Sequence, residues 1–219
     1  MKKIKSLLLI MALTAIWMLV GCSNNKDGSL QDNGQSLPKN EEQNSNIKES
    51  DLKLSDFFPL ELGYTWEYEG EGNEYASFNR KVVFSNNNLH QIREDNGGTV
   101  TASVYNVSSS EITRVFFIGE SYGEKNYLNS QPNEDITILK APLEEGTKWE
   151  EEYGTLEIGS INETISTPAG NFSDCIKVII TSENSIVNEY YKEGIGMVKR
   201  EFMSGETKIT SSLKKFSKL

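Results

Sequence analysis

Residues 119–123 read Gly-Glu-Ser-Tyr-Gly, the spacing at which a serine on a strand-to-helix turn can attack an acyl carbonyl. That chemistry needs a base within hydrogen-bonding reach, and in this motif the catalytic histidine follows the serine in the chain. The one histidine, His90, precedes Ser121, and the residues after Gly123 form a poor helix that soon meets Pro132. We interpret the segment as a glycine-flanked loop, and a hydrolase is the less favoured alternative.

The two cysteines occupy different settings. Cys175 begins the apolar run 175–180, which predicts a small buried side chain, because a nucleophilic thiol would want a histidine partner. Cys22 ends a different apolar run close to the amino terminus. If Cys22 is modified, no second thiol remains for an internal disulfide, so the folded part must rely on its apolar core.

Carboxylates cluster in two stretches, and two facing carboxylates could cleave a glycoside. The chain has 32 acidic residues, however, so chance adjacency is expected, and we interpret both clusters as solvated faces. No Asp-x-Asp-x-Asp-Gly calcium loop and no paired cysteines for zinc occur, so no metal and no cofactor are predicted. The clusters are Glu67, Glu69, Glu71 and Glu74, and Glu144, Glu145, Glu150, Glu151 and Glu152.

The first 21 residues, with Cys22 after them, have the pattern of an export signal. Three lysines precede the apolar run 7–20, which is too short for a permanent membrane helix of about 18 or more residues but suits a secretory signal. The run ends in Leu19-Val20-Gly21-Cys22, which resembles the lipobox of bacterial lipoproteins. That resemblance implies that diacylglycerol is joined to the sulfur of Cys22 and that the chain is cut just before it. Two acyl chains would make a practically permanent membrane anchor.

The charge balance excludes several partners. The chain carries 22 basic and 32 acidic residues, and removing the signal takes away three lysines and no acid, which leaves a net charge of −13. Nucleic-acid binding needs a basic surface to neutralise phosphates, so we expect no nucleic-acid partner. Attraction to anionic lipids is excluded for the same reason, so the acyl group alone must hold the protein at the extracytoplasmic face of the cell membrane.

Composition divides the chain into three parts. Residues 1–21 are the predicted lipoprotein signal peptide. Residues 22–50 comprise the lipidated cysteine and a polar segment that cannot bury enough surface to fold, so we expect a disordered tether. Residues 51–219 are long enough for one domain with a sizeable core.

A near-repeat marks the start of two strands. The segments 59–67 and 142–150 share Pro, Leu, Glu, Gly, Trp and Glu at matching positions without a gap. The glycine permits a positive φ in a turn, and the tryptophan begins the strand that follows. In the first copy Tyr64, Trp66 and Tyr68 alternate with polar residues, as in a half-buried strand. The repeat indicates either two similar halves or two strands entered by the same turn.

The rest of the domain is a succession of strands with short turns, among them a hairpin at Asn96-Gly97. Residues 119–135 are polar and irregular, which predicts a long loop, and residues 51–58 fit either a helical turn or an entering strand. Short connections imply antiparallel pairing. We therefore predict an all-β, mainly antiparallel fold of roughly 10–12 strands, arranged as a single curved sheet, a half-barrel or a sandwich-like meander.

The turns, together with Pro-Ala-Gly at 168–170 and the segment 190–198, resemble a group of uncharacterised β-rich domains of exported bacterial proteins. No catalytic residues transfer from that group. The run of strands also resembles the curved half-barrel of lipoprotein carriers, which implies an acyl chain bound on the concave face.

These observations predict a non-catalytic, membrane-anchored binding domain. Candidate ligand-binding residues are Trp66, Trp149, Tyr64 and Tyr68, although such aromatic side chains more often anchor a core. The ligand would be an apolar small molecule held in the curved sheet. The alternative is a protein-interaction or accessory module at the cell surface, and an enzyme is less favoured.

Overall fold

The computed structural model describes residues 52–218. The predicted signal peptide 1–21, the tether 22–50 and the lipidation residue Cys22 lie outside these described residues. The described part contains one four-residue helix, α1 (Leu54–Phe57), and twelve strands. The strands are β1 (Thr65–Glu71), β2 (Phe78–Asn86), β3 (Leu89–Asp95), β4 (Val100–Val107), β5 (Glu111–Ile118), β6 (Ile136–Lys140), β7 (Lys148–Glu151), β8 (Gly154–Thr167), β9 (Gly170–Thr181), β10 (Ile186–Lys192), β11 (Gly196–Ser204) and β12 (Thr207–Ser217).

All twelve strands form one antiparallel sheet. Consecutive strands pair with each other except β6 and β7, which are the two edges of the sheet, and β1 also pairs with β12. The sheet curves until it nearly closes into a barrel. The prediction of an all-β antiparallel fold with a single curved sheet is confirmed, and the strand number is at the upper end of the predicted range. No helix within residues 52–218 has the length and apolar character needed to cross a membrane.

The ambiguous segment before β1 is a helical turn that covers one end of the sheet. Leu54 and Phe57 are buried, and the backbone N–H of Gly194 donates to the carbonyl of Asp56 at 2.6 Å. The ring of the next residue, Phe58, lies 5.2 Å from the ring of Tyr105 and 6.2 Å from that of Tyr191. The segment therefore places an aromatic side chain inside the curve of the sheet.

The two copies of the repeated turn have the same backbone geometry. Gly63 and Gly146 both adopt φ of 89°, the left-handed region that favours glycine. The N–H of Gly63 donates to the carbonyl of Val82 on β2, and that of Gly146 donates to Ile158 on β8. Each turn therefore ties the start of one strand to the strand that follows it.

The repeat reflects two similar halves, β1–β6 and β7–β12, and not only a shared turn. In the first half, Trp66 pairs with Arg80, Arg80 pairs with Glu94, and Glu94 pairs with Thr101. The second half has the same ladder with Trp149, Leu156, Ile180 and Val187. Every position in the first series therefore has a structural equivalent in the second.

Side chains bridge the gap between the two sheet edges. The indole N–H of Trp149 on β7 donates to the carbonyl of Thr137 on β6 at 3.0 Å. The backbone N–H of Thr137 in turn donates to the carboxylate of Glu151 at 2.9 Å. This β6–β7 seam is therefore closed by side chains instead of a backbone ladder.

The predicted long loop 119–135 packs against the outside of the sheet. Gln91 is buried there; its side chain donates to the carbonyl of Lys125 and accepts from the N–H of Tyr127. Tyr127 also stacks on Phe116 with ring centroids 5.1 Å apart. Outward-facing apolar residues of the first half are thereby covered, which leaves the concave face to form the interior.

Candidate functional site

The four aromatic residues singled out from the sequence all lie in the main core. Trp66 stacks on Phe216, and its indole N–H donates to the carbonyl of Ile195 at 2.6 Å. The hydroxyl of Tyr68 donates to the carbonyl of Met197 at 2.8 Å. Trp149 contributes to the seam described above. The space beside Trp66 and Tyr68 measures about 20 Å³, room for one water molecule.

Tyr64, the fourth of these residues, is buried except for 8% of its surface. It borders an open depression on the outside of the covered end, together with His90 and Leu60. The four aromatic residues are therefore not brought together around one ligand-sized space.

A larger cavity of about 380 Å³ lies inside the curved sheet. Its size falls in the range of about 300–1,000 Å³ that is typical of small-molecule sites. Phe58, Tyr105 and Tyr191 line it toward the covered end, and Tyr153 and Ser182 line it toward the other end. The other lining residues are Arg80, Glu94, Thr101, Ser103, Arg114, Phe117, Ile136, Ile138, Leu156, Ile180, Val187, Glu189, Arg200 and Phe202.

Three arginines reach this cavity in the same manner. The guanidinium groups of Arg80, Arg114 and Arg200 each donate through Nε to a glutamate, at 2.6, 2.5 and 2.7 Å. The acceptors are Glu94, Glu134 and Glu189, respectively. Arg80 and Arg114 are thus each held through Nε, and Arg200 is held through both Nε and Nη2.

Two of the glutamates are ionised deep in the protein. Burial by itself would raise the pKa of Glu94, but the charge of Arg80 and then that of Arg200 hold it below its ordinary value. Burial would likewise raise the pKa of Glu189, and Arg200 together with a hydrogen bond from Tyr191 lowers it. Both carboxylates are therefore charged at neutral pH, which keeps the interior strongly polar.

Part of the cavity lining is charged and part is apolar, and the two halves of the repeat differ in this respect at one set of equivalent positions. The first half contributes Arg80, Glu94 and Thr101, and the equivalent positions of the second half hold Leu156, Ile180 and Val187. The same backbone positions accept apolar side chains in one half and charged ones in the other. The charges are therefore a feature of this sequence and not a requirement of the fold.

The uncovered end carries exposed apolar side chains. Of the large hydrophobic residues that are exposed within residues 52–218, all except Leu62 lie in or beside the strand connections at that end. We call these residues the mouth rim. They are Tyr75, Ile118, Tyr122, Tyr153 and Ile186.

The connections at the mouth end are also acidic, with eight carboxylates and one basic residue, Lys125. The carboxylates are Glu74, Glu120, Glu124, Glu134, Asp135, Glu152, Glu183 and Glu206. A molecule that binds at the rim therefore meets apolar side chains within a negative field.

The candidate nucleophiles occupy separate places. The backbone N–H of Ser121 donates to Val100 at one end of β4, and the Ser121 hydroxyl contacts that of Tyr127. His90 pairs with Tyr105, five residues further along β4, which separates the serine and the histidine by roughly 16 Å at 3.3 Å per residue. The geometry does not assemble a serine–histidine pair.

Cys175 is fully buried, and burial raises the pKa of its thiol to about 11. This confirms the sequence prediction of a small buried side chain. Residues 52–218 contain no group of three or more His, Cys, Asp and Glu side chains placed to hold a metal ion. In the first acidic cluster Glu67 pairs with Lys214 on the exposed outer face.

Comparisons with known protein families and with curated proteins find no match. Two solved structures are similar. A predicted exported protein with a YmcC-like fold from Bacteroides fragilis is 18% identical, with a TM-score of 0.46 over 74% of this chain and 99% of that one. A predicted lipoprotein from Parabacteroides distasonis is 15% identical, with a TM-score of 0.40 over 74% and 98%. At these values neither assigns a function to this chain.

Sequence reasoning missed the charged residues of the cavity, although one signal was present. Tyr105 precedes Arg114 by nine residues, and Tyr191 precedes Arg200 by nine, in equivalent strand pairs of the two halves. An arginine inside an apolar strand is unusual unless it has an interior partner. That partner, a glutamate on a neighbouring strand or loop, is assigned only once the strands are paired.

Proposed function

We propose that this protein is an extracytoplasmic lipoprotein, anchored through diacylglycerol on Cys22, whose β-domain binds a small molecule in the interior cavity without catalysis. The ligand-sized cavity carries the proposal, because its walls hold three guanidinium groups, each oriented by a glutamate. Fixed polar groups placed among apolar side chains are the usual design of a binding site.

Energetics support binding over a purely structural role. Buried ion pairs often stabilise a protein no more than apolar residues of similar volume, because both charges lose their hydration. The second half shows that Leu156 and Ile180 fit where the first half has Arg80 and Glu94. The charged pair is therefore better explained by what it can bind.

The non-catalytic part of the proposal rests on the distribution of reactive groups. Ser121 is paired with a tyrosine hydroxyl, His90 lies in another part of the sheet, and the thiol of Cys175 is protonated at neutral pH. The polar groups that line the cavity are hydrogen-bonded to each other, as arginine with glutamate and tyrosine with glutamate. Such an arrangement suits ligand binding.

The test is native mass spectrometry of the lipidated mature chain, purified from the membranes of its own host. We expect a mass that includes one small bound molecule, lost after unfolding, and an amino-terminal peptide that carries diacylglycerol on Cys22. A chain with no bound molecule that also fails to bind components of its host's envelope extract would contradict the binding role. An amino-terminal peptide that retains Met1 would contradict the anchor.

A second candidate function is carried by the mouth rim. Exposed aromatic side chains within an acidic surface fit a protein partner whose contact surface is basic and apolar. Replacing Tyr122, the most exposed of them at 63%, with serine would weaken such a complex and leave the cavity unchanged. Salt-sensitive cross-linking of the rim to a basic partner in intact cells would support this role.

A further inference from the structure

We propose that the cavity ligand is an amphipathic acid, in which an anionic group is held by the terminal nitrogens of Arg80, Arg114 and Arg200 and an apolar portion lies against Leu156, Ile180, Val187 and Phe202. This inference rests on the proposed binding function and specifies the chemical class of the ligand.

The free hydrogen-bond donors of the arginines indicate an anionic group on the ligand. A guanidinium has five N–H donors, and Arg80 and Arg114 each direct one of them, Nε, to a glutamate within residues 52–218. Arg200 also brings Nη2 to 2.7 Å from Glu189. The terminal nitrogens of Arg80 and Arg114 therefore offer donors that have no acceptor within residues 52–218, which favours a ligand group that only accepts hydrogen bonds.

These donors retain accessible surface. Across residues 52–218, no side-chain nitrogen or oxygen is both fully buried and unpaired, so the terminal nitrogens of Arg80 and Arg114 remain accessible. Side-chain exposure is 12% for Arg80, 26% for Arg114 and 35% for Arg200, and all three side chains line the cavity. Carboxylate, sulfonate and phosphate oxygens match this arrangement, because guanidinium groups bind such oxygens in pairs.

An apolar wall of the cavity indicates what the other end of the ligand must be. Leu156, Ile180, Val187 and Phe202 occupy consecutive paired positions on the second half, and none of them offers a polar side-chain atom. A ligand that was polar throughout would leave its groups unpaired against this wall, which is unfavourable. A wholly apolar ligand would leave the arginine donors unpaired. Only a molecule with both characters satisfies the two walls together.

Arg114 is the arginine most available to the ligand. Its glutamate, Glu134, belongs to the 119–135 loop, whereas Glu94 and Glu189 lie on the strands next to those of their arginines. The carboxylate of an incoming ligand can therefore share Arg114 with less rearrangement than Arg80 or Arg200 would require. Tyr153, at the seam side of the cavity, adds a hydroxyl that burial and nearby Glu151 keep protonated by raising its pKa to about 12.

The first experiment identifies what the protein carries. The lipidated mature chain is purified from its own host and unfolded, and the released molecules are analysed by mass spectrometry in both ion modes. We expect an acid with an apolar portion. A neutral apolar molecule would overturn this inference and leave the binding function intact. A chain that releases nothing and binds nothing from an envelope extract would overturn both.

The second experiment uses a matched pair of fluorescent probes. 1-Anilinonaphthalene-8-sulfonate is an apolar acid, and N-phenyl-1-naphthylamine is its neutral counterpart without the sulfonate. We expect the sulfonate to bind the mature chain more tightly, and Arg114→Gln to weaken that binding by roughly tenfold or more, because a charge-assisted hydrogen bond is lost. Binding of the neutral probe should change less than twofold.

The control is Arg93→Gln, which also removes an ion pair. Arg93 lies 3.1 Å from Asp95, and these two residues flank Glu94 on β3. The control substitution should leave binding of both probes unchanged. Arg114→Lys, which keeps the charge and loses the paired donors, covers the case in which the glutamine variant does not fold. Equal affinity for the two probes, or equal loss in the Arg93 and Arg114 variants, would overturn the inference.

Discussion

Replacing the polar wall by its structural equivalent should separate binding from stability. Arg80→Leu and Glu94→Ile install the residues that the second half holds at the same two paired positions, Leu156 and Ile180. Each single substitution leaves one charge without its partner. The double substitution removes both charges and restores an apolar pair that this fold already accepts.

The magnitudes follow from burial. Breaking a buried ion pair from one side costs about 3–5 kcal/mol in the free energy of unfolding. The side chains of Arg80 and Glu94 keep 12% and 31% of their surface accessible, so we expect the lower end, about 3 kcal/mol for each single variant. The arginine variant also loses a cation–π contact at 4.9 Å to Phe78, worth about 0.5–1 kcal/mol.

The double variant should instead lie within about 1 kcal/mol of the parent protein, or above it, since apolar replacement of a buried pair is often neutral or stabilising. Its affinity for the sulfonate probe should fall, while its affinity for the neutral probe should be kept or rise. The coupling between the two substitutions would then be about −6 kcal/mol, far from additive.

The assay is urea unfolding of the mature chain, followed by the fluorescence of the two core tryptophans, Trp66 and Trp149. An unchanged slope against urea in all four proteins would show that the same surface is exposed on unfolding. A double variant destabilised by the sum of the two singles would refute the reasoning. So would a double variant that retains full affinity for the sulfonate probe.

Four further predictions concern the rest of the domain. Because Arg200 lowers the pKa of the Glu189 carboxyl, the contribution of Glu189 to stability should be complete above the ordinary pKa of 4.5 and should be lost as the pH falls below 4.5. Urea unfolding midpoints measured from pH 7 to 3 check this prediction. Glu189→Gln should make the midpoint depend less on pH. Cys175, with a pKa of about 11, should react slowly with a thiol reagent at pH 8 until urea unfolds the chain, and rapid labelling of the folded protein would contradict its burial. Trp149→Phe should lower the free energy of unfolding by about 1–2 kcal/mol, because the seam hydrogen bond is lost. Gly146→Ala should lower it by about 1 kcal/mol, because alanine is strained at the positive φ of this position. Urea unfolding midpoints measure both effects, and midpoints equal to that of the parent protein would contradict them.

The sequence alone determined the fold class. Alternation of Tyr64, Trp66 and Tyr68 with polar residues specified a half-buried strand, and short turns with Gly or Asn-Gly specified antiparallel neighbours. These are local properties, because the pleat repeats every two residues and a turn depends on a few φ angles. The burial of Cys175 followed from its apolar neighbours in the same way.

Only the tertiary structure decided where the interior is polar. The partner of the Arg80 side chain is known only once β2 is paired with β3. The distance between Arg80 and Arg200 depends on the curvature of the whole sheet. The repeated turn indicated a possible duplication. The register of the paired strands was needed to show that Leu156 and Ile180 are the equivalents of Arg80 and Glu94. Long-range pairing brings residues more than a hundred positions apart into one cavity, and such contacts leave no periodic signal in a single chain.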